Sequence, residues 1–379
     1  VRACHTRPLG RPPDRYCGTH PGCPPPAVAE QDFPAVVRQC NPDPASRPGM
    51  ETRQVLAVDA FADEPLGGTP FPVVPGEISD AQLGAVAAEF GAHGALTLSD
   101  GDLRYVGRDA VQAPIAAAVA GCLGLQELEE LGAGSHTVRR VALDGAGTSG
   151  SGETGSGVGE EPADGETADA ADTSETDWPE SSGPFTVETT TDRQVGVDVP
   201  DAPVTDVAAD VDPLADALGV DPAPIAAMDD LPAGVVGGFG GTLVVALEFL
   251  EHVGQVTPDF EALAALVAER PPARVLALTF DTLAGASDVH ARTFDPAAAG
   301  GEVAASGVAA AACGTFLSAH AAYDGDREQV RIESGHFSDR PAVLTTTLDS
   351  GPRVTGRGLV SLEGRIGLPA VADTDIVEV

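Results

Sequence analysis

The sequence contains no lysine. All 21 basic residues are arginines, against 58 Asp and Glu, so the formal net charge is −37. A polyanion of this size repels phosphate groups, and no basic stretch interleaved with aromatic residues offsets the repulsion, so we expect no nucleic-acid partner. Acidic, lysine-free chains are typical of proteins that work in molar salt, where the Debye length falls to about 3 Å and self-repulsion is screened. The composition therefore predicts a halophilic protein.

Long apolar runs are also missing. No run approaches the roughly 18 residues that cross a bilayer, and the N-terminal residues lack the apolar core of a signal peptide. Aromatic residues make up only 4% of the chain, with a single Trp at position 178. We therefore expect a cytoplasmic protein with no membrane partner.

Cysteine is scarce and unevenly placed. Four of the six cysteines fall within residues 1–49, at spacings that miss the Cys-x2-Cys pairing of zinc sites, so we predict no metal site there. This segment is rich in Pro and Arg and shows no hydrophobic period, and Met50 follows it directly. We expect residues 1–49 to be a disordered extension or the product of a mis-assigned start.

A second segment, residues 145–184, consists largely of Gly, Ser, Thr, Ala and acidic residues and has no Arg. Such a composition cannot bury enough apolar surface to offset the entropy of ordering. We predict an acidic disordered insertion between a first domain at residues 50–144 and a second domain at residues 185–379.

The clearest local pattern is a hairpin at residues 54–74. Apolar residues alternate with period two over Val55–Phe61, a turn follows at 63–68, and a second apolar run leads to Val74. Further along, Ser79 followed by Gln82 predicts a capped helix over 80–90. Pro114 predicts the first turn of an Ala-rich helix, and Thr257–Pro258 predicts a cap followed by a helix whose first residue is Pro.

This hairpin resembles the start of the PhzF-type isomerases, relatives of diaminopimelate epimerase, which open with Val-Asp-Ala-Phe, a Gly-Asn-Pro turn and Val-Val. Thr69 stands where the family has Asn. The likeness continues through the strand at 103–106, the Arg-x-Phe-x-Pro-like run at 292–296 and the Arg-Pro turn at 340–341. It implies an α/β (α+β) fold of two pseudo-two-fold-related domains, each a curved mixed sheet around a central helix.

The resemblance also assigns catalytic positions, and this sequence departs from the family at each of them. Gly94 stands where the family has its acid/base Glu, Ile115 falls in the run that carries the family's His, and Val303 replaces an Asp at the second helix. Since loss of one general acid/base typically costs about 10²–10⁴-fold in rate, we expect the family's proton transfer to be lost or altered.

Several groups remain as candidates for a rebuilt site. His93 and Glu302 are polar neighbours of the lost residues, although residues in such positions more often have only a surface or capping role. Ser306 and Gly307 are predicted to line the cleft, where helix amides favour a small carboxylate ligand. The resemblance implies chemistry without a cofactor and leaves a homodimer open.

Three alternatives to a rebuilt site remain. Diaminopimelate-epimerase-like racemases use one cysteine from each domain, and Cys122 and Cys313 offer such a pair, although both lie inside Ala-rich helices. A fully active isomerase would instead need another carboxylate in the cleft, such as Glu89 or Asp109. A non-enzymatic binding protein is the third possibility.

Overall fold

A computed structural model describes residues 51–99, 102–107, 114–128, 131–142, 185–207, 210–238, 240–267, 271–296, 298, 301–323, 327–348 and 351–369. The predictions for residues 1–49 and 145–184 lie outside these residues.

Seventeen β-strands are present in the described residues, and all of them belong to one hydrogen-bonded sheet. The first nine are β1 Glu51–Ala60, β2 Thr69–Val73, β3 Gly94–Ser99, β4 Asp102–Gly107, β5 Gly134–Ala142, β6 Phe185–Thr189, β7 Val195–Asp198, β8 Val204–Asp206 and β9 Gly234–Val236. The other eight are β10 Thr242–Ala246, β11 Arg274–Thr279, β12 Val289–Phe294, β13 Glu302–Val303, β14 Gln329–Ser334, β15 Ala342–Thr347, β16 Arg353–Gly356 and β17 Gly358–Leu368.

Seven α-helices accompany the strands in the described part of the chain. They are α1 Asp80–Glu89, α2 Pro114–Glu127, α3 Val211–Leu218, α4 Ala223–Ala226, α5 Leu250–Gln255, α6 Phe260–Leu266 and α7 Gly307–Ala319. A 3-10 turn covers His336–Ser338.

The strand pairings divide the sheet into two similar halves. In the first half the neighbours run β17-β1-β2-β3-β4-β5-β6-β7, and this half curves around α2. In the second half they run β8-β9-β10-β11-β12-β14-β15-β16 around α7, with β13 beside β12. Pairing of β7 with β16 joins the halves. Each half thus has eight strands paired in series around one apolar helix, and the short β13 is added to the second half.

Both central helices approach their sheets closely at a glycine. A Cβ on Gly124 of α2 would lie 2.9 Å from the Val58 side chain, and a Cβ on Gly314 of α7 would lie 2.7 Å from Thr346 Oγ1. Real Cβ atoms do not tolerate such distances, so only glycine permits the helix to lie this deep in the curve of the sheet. The repetition of this device in both halves agrees with their pseudo-symmetry.

The predicted fold class is therefore confirmed as a mixed α/β fold with two related halves. The grouping of strands does not follow chain order, however. Strands β6 and β7, which follow residue 184, and the last strand β17 all pair within the half that surrounds α2. The predicted domain boundary at residue 185 therefore stays a prediction.

Two of the elements predicted from local sequence patterns are confirmed, and one predicted helix cap is not. The hairpin forms with Leu56 opposite Val73, and Ser79 and Gln82 form the reciprocal capping box at the start of α1. The predicted cap at Thr257 is wrong, because α6 begins two residues later and Asp259 caps it by accepting from the amides of Glu261 and Ala262.

Candidate functional site

The candidate site is built around the N-terminus of α7, the central helix of the second half. Ser306 is the N-cap, and its Oγ accepts from the amide of Ala309 at 3.2 Å. The first-turn amides of a helix have no partner within the helix and carry the positive end of its dipole. Helix α7 is 13 residues long, and the positive end of its dipole lies at Ser306 and Gly307, shortly after β13.

Residues of both halves hold the segment that leads into α7. The buried Thr69, at the start of β2, donates its hydroxyl to the carbonyl of Ala305 at 2.7 Å and accepts from the Ala305 amide at 3.2 Å. From the other side, Ser334 Oγ donates to the carbonyl of Ala304 at 2.7 Å. These contacts fix the start of α7 between the first hairpin and β14.

A second link joins the hairpin turn to the loop after β14. Asp59 is 1% exposed, and its carboxylate accepts from Arg340 at 2.9 Å and from the Leu66 amide at 2.8 Å. Arg340 also donates to the carbonyls of Gly67 and Gly68. Because a buried carboxylate requires charge-assisted partners, this network fixes the hairpin turn against the second half.

Glu302, a predicted candidate base, is engaged by an arginine. Arg292 forms a two-pronged ion pair with it, at 3.0 Å from Nε to Oε1 and 2.8 Å from Nη2 to Oε2. The guanidinium also donates to the carbonyls of Val253 and Gly254. It lies 4.6 Å from the ring centroid of Phe294 on one side. The charge of Glu302 is thus neutralised in place.

The position assigned to the family's catalytic Glu has no room for a side chain. Gly94 opens β3, and a Cβ there would lie 2.3 Å from the ring of the buried Tyr105. His93 precedes it, partly exposed, and makes no hydrogen bond or ion pair with the described residues. Glu89, the last residue of α1, is exposed.

The remaining predicted positions are divided between strand and helix. Val303 is in β13 and pairs with Thr293 of β12, whereas Gly307 is the buried first residue of α7. Ile115 is the second residue of α2, and its side chain lies outside what the structure describes. Asp109 falls outside the described ranges altogether.

A family model described as phenazine biosynthesis-like protein matches residues 167–365, which is more than half of the chain. The chain belongs to this family. The solved structure of a PhzF-family phenazine biosynthesis protein from Bacillus anthracis is similar over 84% of this chain and 99% of its own, with a TM-score of 0.63 and 17% sequence identity.

Two further solved structures show the same fold. A PhzF-family protein from Enterococcus faecalis matches 83% of this chain and 99% of its own, with a TM-score of 0.58 at 16% identity. A predicted epimerase from Pseudomonas aeruginosa matches 84% of this chain and all of its own, with a TM-score of 0.56 at 17% identity. No curated protein matches the sequence at a significant level.

Within this PhzF-like fold the two predicted thiols are inaccessible. Cys122 in α2 and Cys313 in α7 are both 0% exposed. Burial raises the pKa of Cys313 to about 12 and the pKa of Cys122 further still. A thiol of such high pKa supplies almost no thiolate near neutral pH, so the geometry gives no support to a two-cysteine racemase.

One titratable pair was not found from the sequence. His290 on β12 and Glu333 on β14 are opposite each other in parallel pairing, and His290 Nδ1 lies 3.0 Å from Glu333 Oε1. Burial lowers the pKa of His290, against the opposing effect of the carboxylate. Burial by itself raises the pKa of Glu333, but hydrogen bonds from His290 and two backbone amides hold it below its usual value. These residues are 43 positions apart, and only the strand pairing brings them together.

Other features lie away from α7. A polar pocket of about 420 Å³ is lined by strands β5, β6, β7 and β16 around Arg353, whose guanidinium is paired with Glu188 and Asp198. Within the described residues, no cluster of three or more His, Cys, Asp or Glu has metal-site geometry. None of the helices in those residues has the length and apolarity of a membrane crossing.

Proposed function

We propose that this PhzF-family protein binds a small carboxylate at the N-terminus of α7 and does not perform the family's proton transfer. The observation that carries the proposal is the packing at Gly94. The ring of Tyr105 occupies the space that a side chain would need there, so an acid/base Glu would not fit at the position that the resemblance assigns to it.

Carboxylate binding is supported by the charges around α7. The helix N-terminus supplies amides and a partial positive charge, a combination that favours anions. The nearest carboxylate in sequence, Glu302, is held by Arg292 at 2.8 Å and therefore does not add an uncompensated negative charge. An incoming carboxylate would meet a cap hydroxyl and helix amides.

Neither candidate replacement base in the described residues is free and positioned for proton transfer, which supports binding without isomerisation. Both carboxylate oxygens of Glu302 already accept hydrogen bonds from an arginine. His93 is partly exposed and has no orienting partner in the described part of the chain. Buried thiols leave the two-cysteine alternative without an accessible nucleophile.

Binding can be tested by placing a negative charge at the helix cap. Ser306→Asp keeps a good N-cap but brings a carboxylate within about 4 Å of the ligand, a repulsion of about 1–4 kcal/mol, so we expect binding to weaken by at least about fivefold. Ser79→Asp is the matched control, because Ser79 caps α1 by accepting from the same third amide of its helix. Calorimetry of the full chain in molar KCl, against small amino and hydroxy carboxylates, gives the affinities. Equal binding by Ser306→Asp and the unmodified protein would exclude this site.

Catalysis is tested separately with the same compounds. Solvent deuterium incorporation, followed by proton NMR, reports any proton exchange on the ligand, and we expect none. Incorporation that disappears in His93→Ala or Glu302→Ala would contradict the proposal and identify a rebuilt base.

A further inference from the structure

A second site lies on the outer face of the second half, away from α7. Along β12, Val289 and Ala291 pack in the core that contains α7, so the alternating His290 and Arg292 face the other side of the sheet. His290 is 0% exposed, and its Nε2 atom has no hydrogen-bond partner in the described residues.

The partner of Nδ1 determines which nitrogen of His290 carries a lone pair. Glu333 accepts hydrogen bonds from the amides of Leu283 at 2.5 Å and Ala284 at 3.0 Å. An ionised carboxylate can only accept, so the proton of the neutral ring is on Nδ1 and the lone pair is on Nε2. This carboxylate–imidazole arrangement is the one that usually orients a metal-binding histidine.

A second imidazole lies in contact with the first. The ring of His336, in the 3-10 turn, has its centroid 5.2 Å from that of His290, and its Nδ1 is also buried without a partner in the described residues. Rings in ordinary contact have centroids about 4.5–7 Å apart, and two imidazoles that share a tetrahedral metal ion fall within that range. The two unpartnered nitrogens are therefore the stronger indication of a shared ligand.

The charges around the pair favour a cation. Glu333 is 1% exposed and makes no ion pair with an arginine in the described residues. The nearby guanidinium of Arg292 is committed to Glu302. Buried charges are normally compensated by an opposite charge. A cation bound at His290 Nε2 would compensate the negative charge of Glu333.

We propose that His290 Nε2 and His336 Nδ1 bind a divalent transition metal of the zinc class, with Glu333 orienting the first imidazole. Because no third His, Cys, Asp or Glu completes a cluster among the described residues, water fills the other coordination positions. His336 is the more exposed of the two rings. His290 is on the face of β12 that does not pack against α7, and the metal site does not rest on the proposed function.

Metal titration of the full chain tests this site. The N-terminal thiols are first alkylated under native conditions to remove their competing affinity, and Zn²⁺ binding is then measured by calorimetry at pH 7.5. We expect one site that is lost in His336→Ala and His290→Ala. In Glu333→Gln we expect roughly 10–100-fold weaker binding, the usual effect of losing an orienting partner. His320→Ala, which removes a histidine bonded to Asp206, should bind normally.

Co²⁺ supplies an independent readout, because its visible spectrum reports coordination by nitrogen or by thiolate. The partly exposed His336 can be replaced without opening the core, so His336→Ala keeps the test valid if His290→Ala fails to fold. Unchanged Zn²⁺ stoichiometry and affinity in folded His336→Ala would overturn the proposal. So would the absence of binding by the unmodified chain, which would indicate that water alone bridges the two rings.

Discussion

Replacement of Thr69 by Val tests how much the link between the hairpin and α7 contributes to stability. Valine has nearly the same shape as threonine but lacks the hydroxyl. The carbonyl and amide of Ala305 therefore lose their hydrogen-bond partner. Leaving a buried polar group unsatisfied costs about 1–3 kcal/mol, so we expect the free energy of unfolding to fall by about 2–4 kcal/mol. For a chain of this size that corresponds to a decrease in Tm of roughly 3–5 °C.

Thr69→Ser is the matched control, since it keeps the hydroxyl and loses only a methyl group worth about 0.8 kcal/mol. Urea unfolding in molar KCl, followed by circular dichroism, gives both free energies. Hydrogen exchange at the Ala305 amide should also accelerate in Thr69→Val and not in Thr69→Ser. The reasoning is refuted if the valine variant is as stable as the serine variant, because the two hydrogen bonds would then contribute nothing net.

Three further predictions follow from single contacts. Gly94→Ala should destabilise the fold by about 1–3 kcal/mol, because the added methyl group would overpack against the ring of Tyr105. Gly132→Ala, whose new Cβ would meet no atom within 4 Å, should be neutral. Equal effects of the two substitutions in chemical unfolding would contradict this prediction. Asp259→Ala should lower the free energy of unfolding by about 1 kcal/mol, because it removes the cap of α6. Asp210→Ala should have little effect, because the Asp210 side chain makes no cap hydrogen bond. Equal losses of stability in thermal unfolding would show that the cap hydrogen bonds do not matter. The buried thiols of Cys122 and Cys313 should resist iodoacetamide at about pH 8 in the folded protein and react after unfolding. Mass spectrometry of the peptides that contain them measures the labelling. Fast labelling of either thiol in the folded protein would support the racemase hypothesis.

Much of the architecture was predictable from short patterns whose causes are local. The hairpin at 54–74 and the capped helix α1 follow from alternation and a cap alone. The start of α6 was not predictable in this way. Backbone amides of Thr257 and Asp259 donate to carbonyls at the end of α3, so the chain stays extended past the Thr-Pro signal. A tertiary contact there overrides a local preference.

The location of the candidate site at the start of α7 stays a prediction, and the contacts around it were not predictable from the sequence. Resemblance to the family pointed to the start of α7, yet the ion pair of Glu302 with Arg292 depends on the neighbouring strands β12 and β13. Burial of Gly94 under Tyr105 depends on the pairing of β3 with β4. The His290–His336 pair needs the parallel pairing of β12 with β14, a long-range arrangement that no single stretch of sequence encodes.

The position of β17 has a consequence for how fast the sheet around α2 can form. Strand β17 pairs with β1 along its whole length, from Glu51 opposite Leu368 to Ala60 opposite Gly358. These two strands are separated by almost all of the described chain, so the entropy of closing that loop is lost before their contacts are gained. Pairing of β1 with β17 is therefore expected to be a slow step in folding, whereas the hairpin of β1 and β2 can form early.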